Sequence, residues 1–162
     1  MQKRSFLKAL PVLVAGAQPV FSGGTSAKTR PFVEVWKDAE CGCCKDWVKH
    51  LEDNGFDVRV NDSGNTAARA RLGIPARLGS CHTGQVGGYA VEGHVPARDI
   101  QRLLAERPKA IGLAVPGMPV GSPGMDGPIY GKRKDAYDVL LVKADGSTSI
   151  FKSYPSKSST SS

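Results

Sequence analysis

Three of the chain's four cysteines fall within four positions, Cys41, Cys43 and Cys44 in the stretch DAECGCCKDW, and they stand where the residue pattern changes period. Before them, PFVEVWK (31–37) places Phe32, Val33, Val35 and Trp36 as tightly as a buried strand does. After them, Cys44, Trp47, Val48 and Leu51 share one helical face. The cysteines thus mark a strand-to-helix junction, which restricts the chain to folds in which a strand runs directly into a helix. Cys41 and Cys44 have the C-x-x-C spacing of a dithiol redox motif. If they open a helix, their Cα separation falls within the roughly 4.4–6.8 Å that a disulfide spans. Cys43 and Cys44 are adjacent, about 3.8 Å between Cα atoms, so bonding that pair would be strained. Cys43 is surplus to a simple disulfide switch.

The rest of the chain supplies the remaining elements. DNG (53–55) stops the first helix, and FDVRV (56–60) is a second strand. TAARARLG (66–73) is a short helix ended by Gly73. After GIP (73–75), the segment ARLGSCH, a glycine-rich turn and YAVEGHV read together as a β-hairpin, with Cys81 and His82 on its first strand and His94 ending its second. PARDIQRLLAERP (96–108) opens with proline in the first turn and sets Ala97, Ile100, Leu103 and Leu104 on one face. The order strand–helix–strand–helix–strand–strand–helix predicts an α/β, thioredoxin-like fold. CGCCK resembles the thioredoxin sequence CGPCK with Cys43 in the place of proline, and GIP resembles the segment holding the cis-proline beside that site, a role this assigns to Pro75. Past residue 109, AIGLAVPGMPVGSPGMDGP (110–128) is a Gly/Pro loop carrying Met118 and Met125. AYDVLLVKADGSTSIFKSY (136–154) is an additional C-terminal β-hairpin closed by Asp145-Gly146, either extending the sheet or packing beside it. PSKSSTSS (155–162) has the composition of a disordered tail.

The N-terminus reads as an export signal over residues 1–27. Lys3, Arg4 and Lys8 form a basic region, ALPVLVAGAQPVF an apolar run too short to span a membrane, and Thr25-Ser26-Ala27 a small-residue cleavage site. KRSFLK resembles a twin-arginine signal with lysine for the first arginine, so either the general secretory or the twin-arginine route is compatible. Residues 28–154 then form one domain in the periplasm, without stable membrane insertion. The whole chain of 162 residues carries a formal charge of +7; without the three basic residues of the signal it carries 19 basic and 15 acidic residues, or +4. These charges are scattered rather than gathered on one face, which speaks against a nucleic-acid partner.

A helix start favours thiolate over thiol, because its unpaired N–H groups attract negative charge. That suits a nucleophile and a metal ligand equally. A dithiol oxidoreductase needs one attacking and one resolving thiol, whereas a soft metal gains from every added thiolate. The further soft donors are Cys81, His82, His94, Met118 and Met125. Strand alternation predicts that Cys81 and His82 point to opposite faces, so that at most one serves a given site, Cys81 before His82. The two methionines lie in a loop with no periodic apolar face and are the chain's only ones besides Met1. His50 reads as solvent-facing. Four thiolates carry more negative charge than one Zn²⁺ neutralises, and thioethers beside thiolates point to several Cu(I) ions bridged by sulfur.

CGCCKDW, GIPARLGSCHTGQVGGYAVEGHVP and AVPGMPVGSPGM together resemble the exported CopG-type copper-resistance proteins of Gram-negative bacteria, over roughly residues 31–130. The resemblance implies a thioredoxin-like periplasmic domain with a cysteine-bridged multinuclear copper site. Cys41, Cys43, Cys44 and Cys81 carry over as bridging ligands, and His94, Met118 and Met125 as terminal ones. It also implies a role in copper resistance, with interconversion of Cu(I) and Cu(II) proposed for the family. Two other readings fit the same residues: a thiol–disulfide oxidoreductase using Cys41 and Cys44, and a passive copper carrier that hands its ions to an efflux partner.

Overall fold

Strand β1 (Phe32–Lys37) alternates strictly, burying Val33, Val35 and Lys37 on one face. Trp36 lies on the other face under the guanidinium of Arg71, and Phe32, expected to be buried, is half exposed beneath Arg59. A period of two, not the hydrophobicity of each residue, decides which side a strand residue faces. The computed structural model that reveals this describes residues 29–156; the export signal expected over 1–27 and residues 157–162 of the tail expected over 155–162 lie outside the described residues.

Helix α1 (Gly42–Asp53) follows β1, with Cys41 as its N-cap residue, and buries Cys44, Trp47, Val48 and Leu51, the face that the spacing predicts. Then come β2 (Asp57–Asn61), α2 (Asn65–Arg71), β3 (His82–Val86), β4 (Tyr89–Glu92) and α3 (Ala97–Glu106). Inside the segment expected to be all loop, Gly112–Ala114 forms a short strand, β5. Three residues of period-two pattern between a helix and a Gly/Pro stretch are too few to be read as a strand; pairing with β4 creates it. The C-terminal hairpin, β6 (Tyr137–Val142) and β7 (Thr148–Tyr154), continues the sheet from β5.

All seven strands form one sheet in the order β2-β1-β3-β4-β5-β6-β7. β1 pairs parallel with β2, and β4 with β5, while every other pair is antiparallel. The larger core lies on one face, where Trp47, Leu51, Ile100 and Leu103 pack on Val33, Val35, Val91, Leu113 and Val139. A smaller core covers the other face with Ile74 and Leu78 against Ala90, Ala114 and Val142. Among the described residues, no helix is long and apolar enough to cross a membrane.

The structure places two residues otherwise than expected. Pro75 is in trans, like every described peptide bond, and its ring packs near Gly146 in the β6–β7 turn. A three-residue match such as GIP does not fix a backbone isomer. His50 turns inward from α1, and its Nε2 accepts a hydrogen bond from the Ala97 N–H at 3.1 Å. α3 starts at Ala97 without a side-chain cap from its own Pro96, so the neighbouring helix satisfies that donor.

Candidate metal centre

One end of the sheet gathers the chemistry. β1 ends there and leads into Cys41 and α1, β3 begins there after Cys81, and β4 ends there just before His94. The Sγ atoms of Cys41, Cys43, Cys44 and Cys81 all lie within 4.8 Å of one another, and so do the ligand atoms of Cys81, His82 and His94. Cys81 belongs to both groups and is their hinge.

Cys41 and Cys44 are joined by a disulfide with a Cα separation of 5.3 Å, while Cys43 and Cys81 are free thiols. Cys43 Sγ sits 3.5 Å from Cys41 Sγ and 3.9 Å from Cys81 Sγ. A helix that starts at Gly42 puts Cys41 at its N-cap and turns Cys43 outward beside the half-buried Cys41, with Cys44 facing the core. Gathering all four as thiolates requires two electrons to reduce the disulfide.

The two imidazoles converge on Cys81 from different strands. His94 Nδ1 donates to the Pro123 carbonyl at 2.8 Å, which leaves the Nε2 lone pair directed at Cys81 Sγ, 3.1 Å away. His82 Nε2 donates to the Gly93 carbonyl at 3.0 Å, leaving Nδ1 toward the same sulfur at 3.4 Å. Backbone carbonyls thus fix both tautomers with a bare nitrogen toward the cysteine, the arrangement that readies an imidazole for a metal. Both rings are fully buried, and burial holds both below the ordinary histidine pKa, His82 well below it. Burial, together with the neighbouring Cys43, pushes the Cys81 thiol up to about 12. A proton-free pair of imidazoles around a thiol that resists ionisation suits a soft cation, which displaces the thiol proton as it binds.

His82 therefore joins Cys81, contrary to the alternation argument. Cys81 lies in the bend before β3 rather than on the strand, so the rule of opposite faces does not reach it, and the His82 ring leans back over it. The methionines stand differently. Met125 is buried, and its sulfur accepts a hydrogen bond from the Tyr130 hydroxyl at 3.3 Å. Met118 is half exposed, next to Gly117, whose carbonyl accepts from Ser80 Oγ at 2.5 Å. Their segment closes over the site through the Pro123–His94 bond and through Gly124, which lies directly against the Cys43 carbonyl.

Cys81 also opens on a cleft of about 390 Å³ lined by Lys37, Asp38, Asp62, Ser63 and Asn65 among others. Lys37 is buried; it pairs with Asp62 at 2.5 Å and donates to the Asp38 carbonyl at 3.1 Å. The cleft gives Cys81 a polar path to solvent.

Reasoning from sequence missed the groups beneath Cys81. Glu92 is fully buried at the end of β4 and pairs with Arg69 of α2 at 2.9 Å. Burial raises its carboxyl pKa, opposed by hydrogen bonds from Thr83 and Ser80 and by the charge of Arg69. The signal was legible: a carboxylate inside the apolar run YAVE is costly unless it is paired.

Residues 78–125 match the family model described as "Protein of unknown function, DUF411". The chain is similar to the solved structure of "Copper resistance protein copG" in two forms. For form 1 the identity is 51% and the TM-score 0.72, covering 78% of this chain and 98% of that one. For form 2 the identity is also 51% and the TM-score 0.71, covering 78% and 99%. No curated protein sequence matches the chain.

Proposed function

The chain belongs to the CopG family of copper-resistance proteins, and on that premise we propose that it holds several Cu(I) ions in a cysteine-bridged site that serves copper resistance. The observation that carries this reading is the convergence of four sulfurs with two lone-pair-directed imidazoles on Cys81. Cys41, Cys43, Cys44 and Cys81 are the bridging ligands, His94 and His82 nitrogen ligands, and Met118 and Met125 thioether ligands on the loop that covers them. Soft thiolate and thioether donors beside imidazole favour Cu(I) over harder ions. The strand order β2-β1-β3-β4, with cysteines at the β1–α1 junction, supports a thioredoxin-like core in which Cys43 replaces a proline. We place this domain at residues 28–154 in the periplasm, exported by the signal at 1–27, with an efflux or carrier protein as the recipient of its copper.

The disulfide supports a second reading, in which copper changes valence at the site. Forming Cys41–Cys44 from two thiols releases two electrons and two protons, enough to reduce two Cu(II) to two Cu(I). The reverse direction oxidises two Cu(I). A thiol–disulfide oxidoreductase acting on protein partners uses the same two cysteines without metal.

Anaerobic titration of the reduced protein with Cu(I) tests the principal reading. Several ions per chain are expected, with sulfur-rich coordination in X-ray absorption; a stoichiometry of one overturns the multinuclear site. Insulin reduction by the metal-free protein, undiminished by Cys43→Ser, would instead favour the metal-free oxidoreductase.

A further inference from the structure

All three polar groups of Ser80, the residue before Cys81, are held. Its N–H donates to Glu92 Oε1 at 2.6 Å, its carbonyl accepts from Arg69 Nη2 at 2.6 Å, and its hydroxyl donates to the Gly117 carbonyl at 2.5 Å. Arg69 and Glu92 hold each other through Nε and Oε1 at 2.9 Å, and Thr83 Oγ1 occupies the second carboxylate oxygen at 2.7 Å. Gly93 adds a steric stop: a Cβ there would meet Ser80 Oγ at 2.7 Å.

This pair approaches from the α2 side of the sheet, whereas Trp47 and His82 lie on the α1 side. Arg69 meets Glu92 through one contact, Nε to Oε1, which leaves its Nη2 to hold the Ser80 carbonyl and so sets a charged donor and a charged acceptor on the same residue. Burying them is costly, and the apolar lining of that face, Ala90 and Ala114, shows that the fold fills neighbouring positions with small hydrophobes. The ion pair does something those residues cannot, namely grip the two peptide groups on either side of Ser80, in a segment that has no strand partner to hold it.

We propose that Arg69 and Glu92 are positioning residues for the metal centre: by clamping the Ser80 backbone they set Cys81 Sγ between Cys43 and the two imidazoles, and through Ser80 Oγ they tie the methionine-bearing segment to the same anchor. Neither residue touches the metal. The metal arm of this inference rests on the copper reading above; the thiol arm does not.

The test uses Glu92→Gln and Arg69→Lys, each in the full domain. In a Cys43→Ser background with the Cys41–Cys44 disulfide intact, Cys81 is the single free thiol, and its alkylation by iodoacetamide reports how firmly it is held. We expect both variants to keep the wild-type circular dichroism at 25 °C and to alkylate about tenfold faster, a factor equal to about 1.4 kcal/mol. With Cys43 present, the copper-loaded variants should show fewer Cu–S contacts and a shifted thiolate-to-copper absorption. Wild-type alkylation in a folded variant overturns the proposal, and so does faster alkylation with an unchanged copper spectrum, because the pair would then be structural only. Arg69→Lys retains the buried positive charge and decides the matter if Glu92→Gln does not fold. Failure of the wild-type protein itself to take up copper refutes the copper reading, while the alkylation result still stands for or against the clamp.

Discussion

The indole of Trp47 lies against the imidazole of His82, ring centroids 4.1 Å apart and planes inclined by 34°. The indole N–H is occupied elsewhere, donating to the Val95 carbonyl at 2.9 Å, so its π-face is what meets the histidine. Trp47 is on this account the built-in reporter of the site. Copper bound at His82 should quench its fluorescence, whereas Trp36, beneath Arg71 on the opposite face, should respond little. Trp36→Phe is expected to keep the copper-dependent quenching and Trp47→Phe to abolish it. Equal quenching in the two variants would place the metal away from His82.

The disulfide predicts a thiol count. Before reduction, two thiols per chain, Cys43 and Cys81, should react with Ellman's reagent under denaturing conditions, and four after reduction. Copper uptake should rise with that change, since the second pair of sulfurs becomes free to ligate. Identical copper loads in the oxidised and reduced protein would exclude Cys41 and Cys44 as ligands. Cys43→Ser should leave the disulfide in place and still lower the load.

Gly124 has φ +84°, and a Cβ on it would meet the Cys43 carbonyl at 2.5 Å and the Trp47 nitrogen at 2.8 Å. Both neighbours are helix backbone and cannot yield as a side-chain tip does. Gly124→Ala is therefore expected to cost about 2–4 kcal/mol, from positive-φ strain plus overpacking, measured by urea denaturation. It should also pull Pro123 from His94. Gly127, with nothing within 4 Å of an added Cβ, is the control, and Gly127→Ala should change stability by less than about 0.5 kcal/mol.

His50 accepts the Ala97 N–H, which it can do only with Nε2 unprotonated. Burial lowers its pKa from 6.5, so the folded protein binds fewer protons than the unfolded chain near that pH. Its contribution is complete above the unfolded value and is lost as pH falls toward the lower folded value; His82 and His94 act in the same direction in the metal-free protein. The melting temperature of the metal-free protein should therefore drop on acidification below pH about 6.5. His50→Ala should cost about 1 kcal/mol at pH 7.5, the scale of a lost helix cap. Its stability should fall less with acid than that of the wild type. Parallel pH curves would show that His50 does not titrate with unfolding.

Much of the architecture was legible because it rests on local periodicity. The α1 face of Cys44, Trp47, Val48 and Leu51 follows from 3.6-residue spacing, and the β6–β7 hairpin from Asp145-Gly146 between two alternating runs. Strand β5 was not legible, because three residues carry no period and only pairing with β4 makes them a strand. The isomer of Pro75 and the inward turn of His50 were misjudged because neither follows from local pattern: a three-residue match does not set a peptide isomer, and His50 turns toward the start of α3, which only the packing brings beside it.

The sequence by itself determined which donors exist and where the first three stand, since a C-G-C-C run at a strand-to-helix junction has little freedom. It also identified Cys81, His94 and the methionine loop as the remaining soft groups. Only the tertiary structure decided how they meet. His82 joins the site because Cys81 lies in a bend outside the ladder, where alternation does not apply. The imidazole lone pairs are aimed by the carbonyls of Gly93 and Pro123, residues with no side-chain donor to read in the sequence. The Arg69–Glu92 pair beneath Ser80 spans 23 residues of chain; its partners become neighbours only when α2 packs on the sheet.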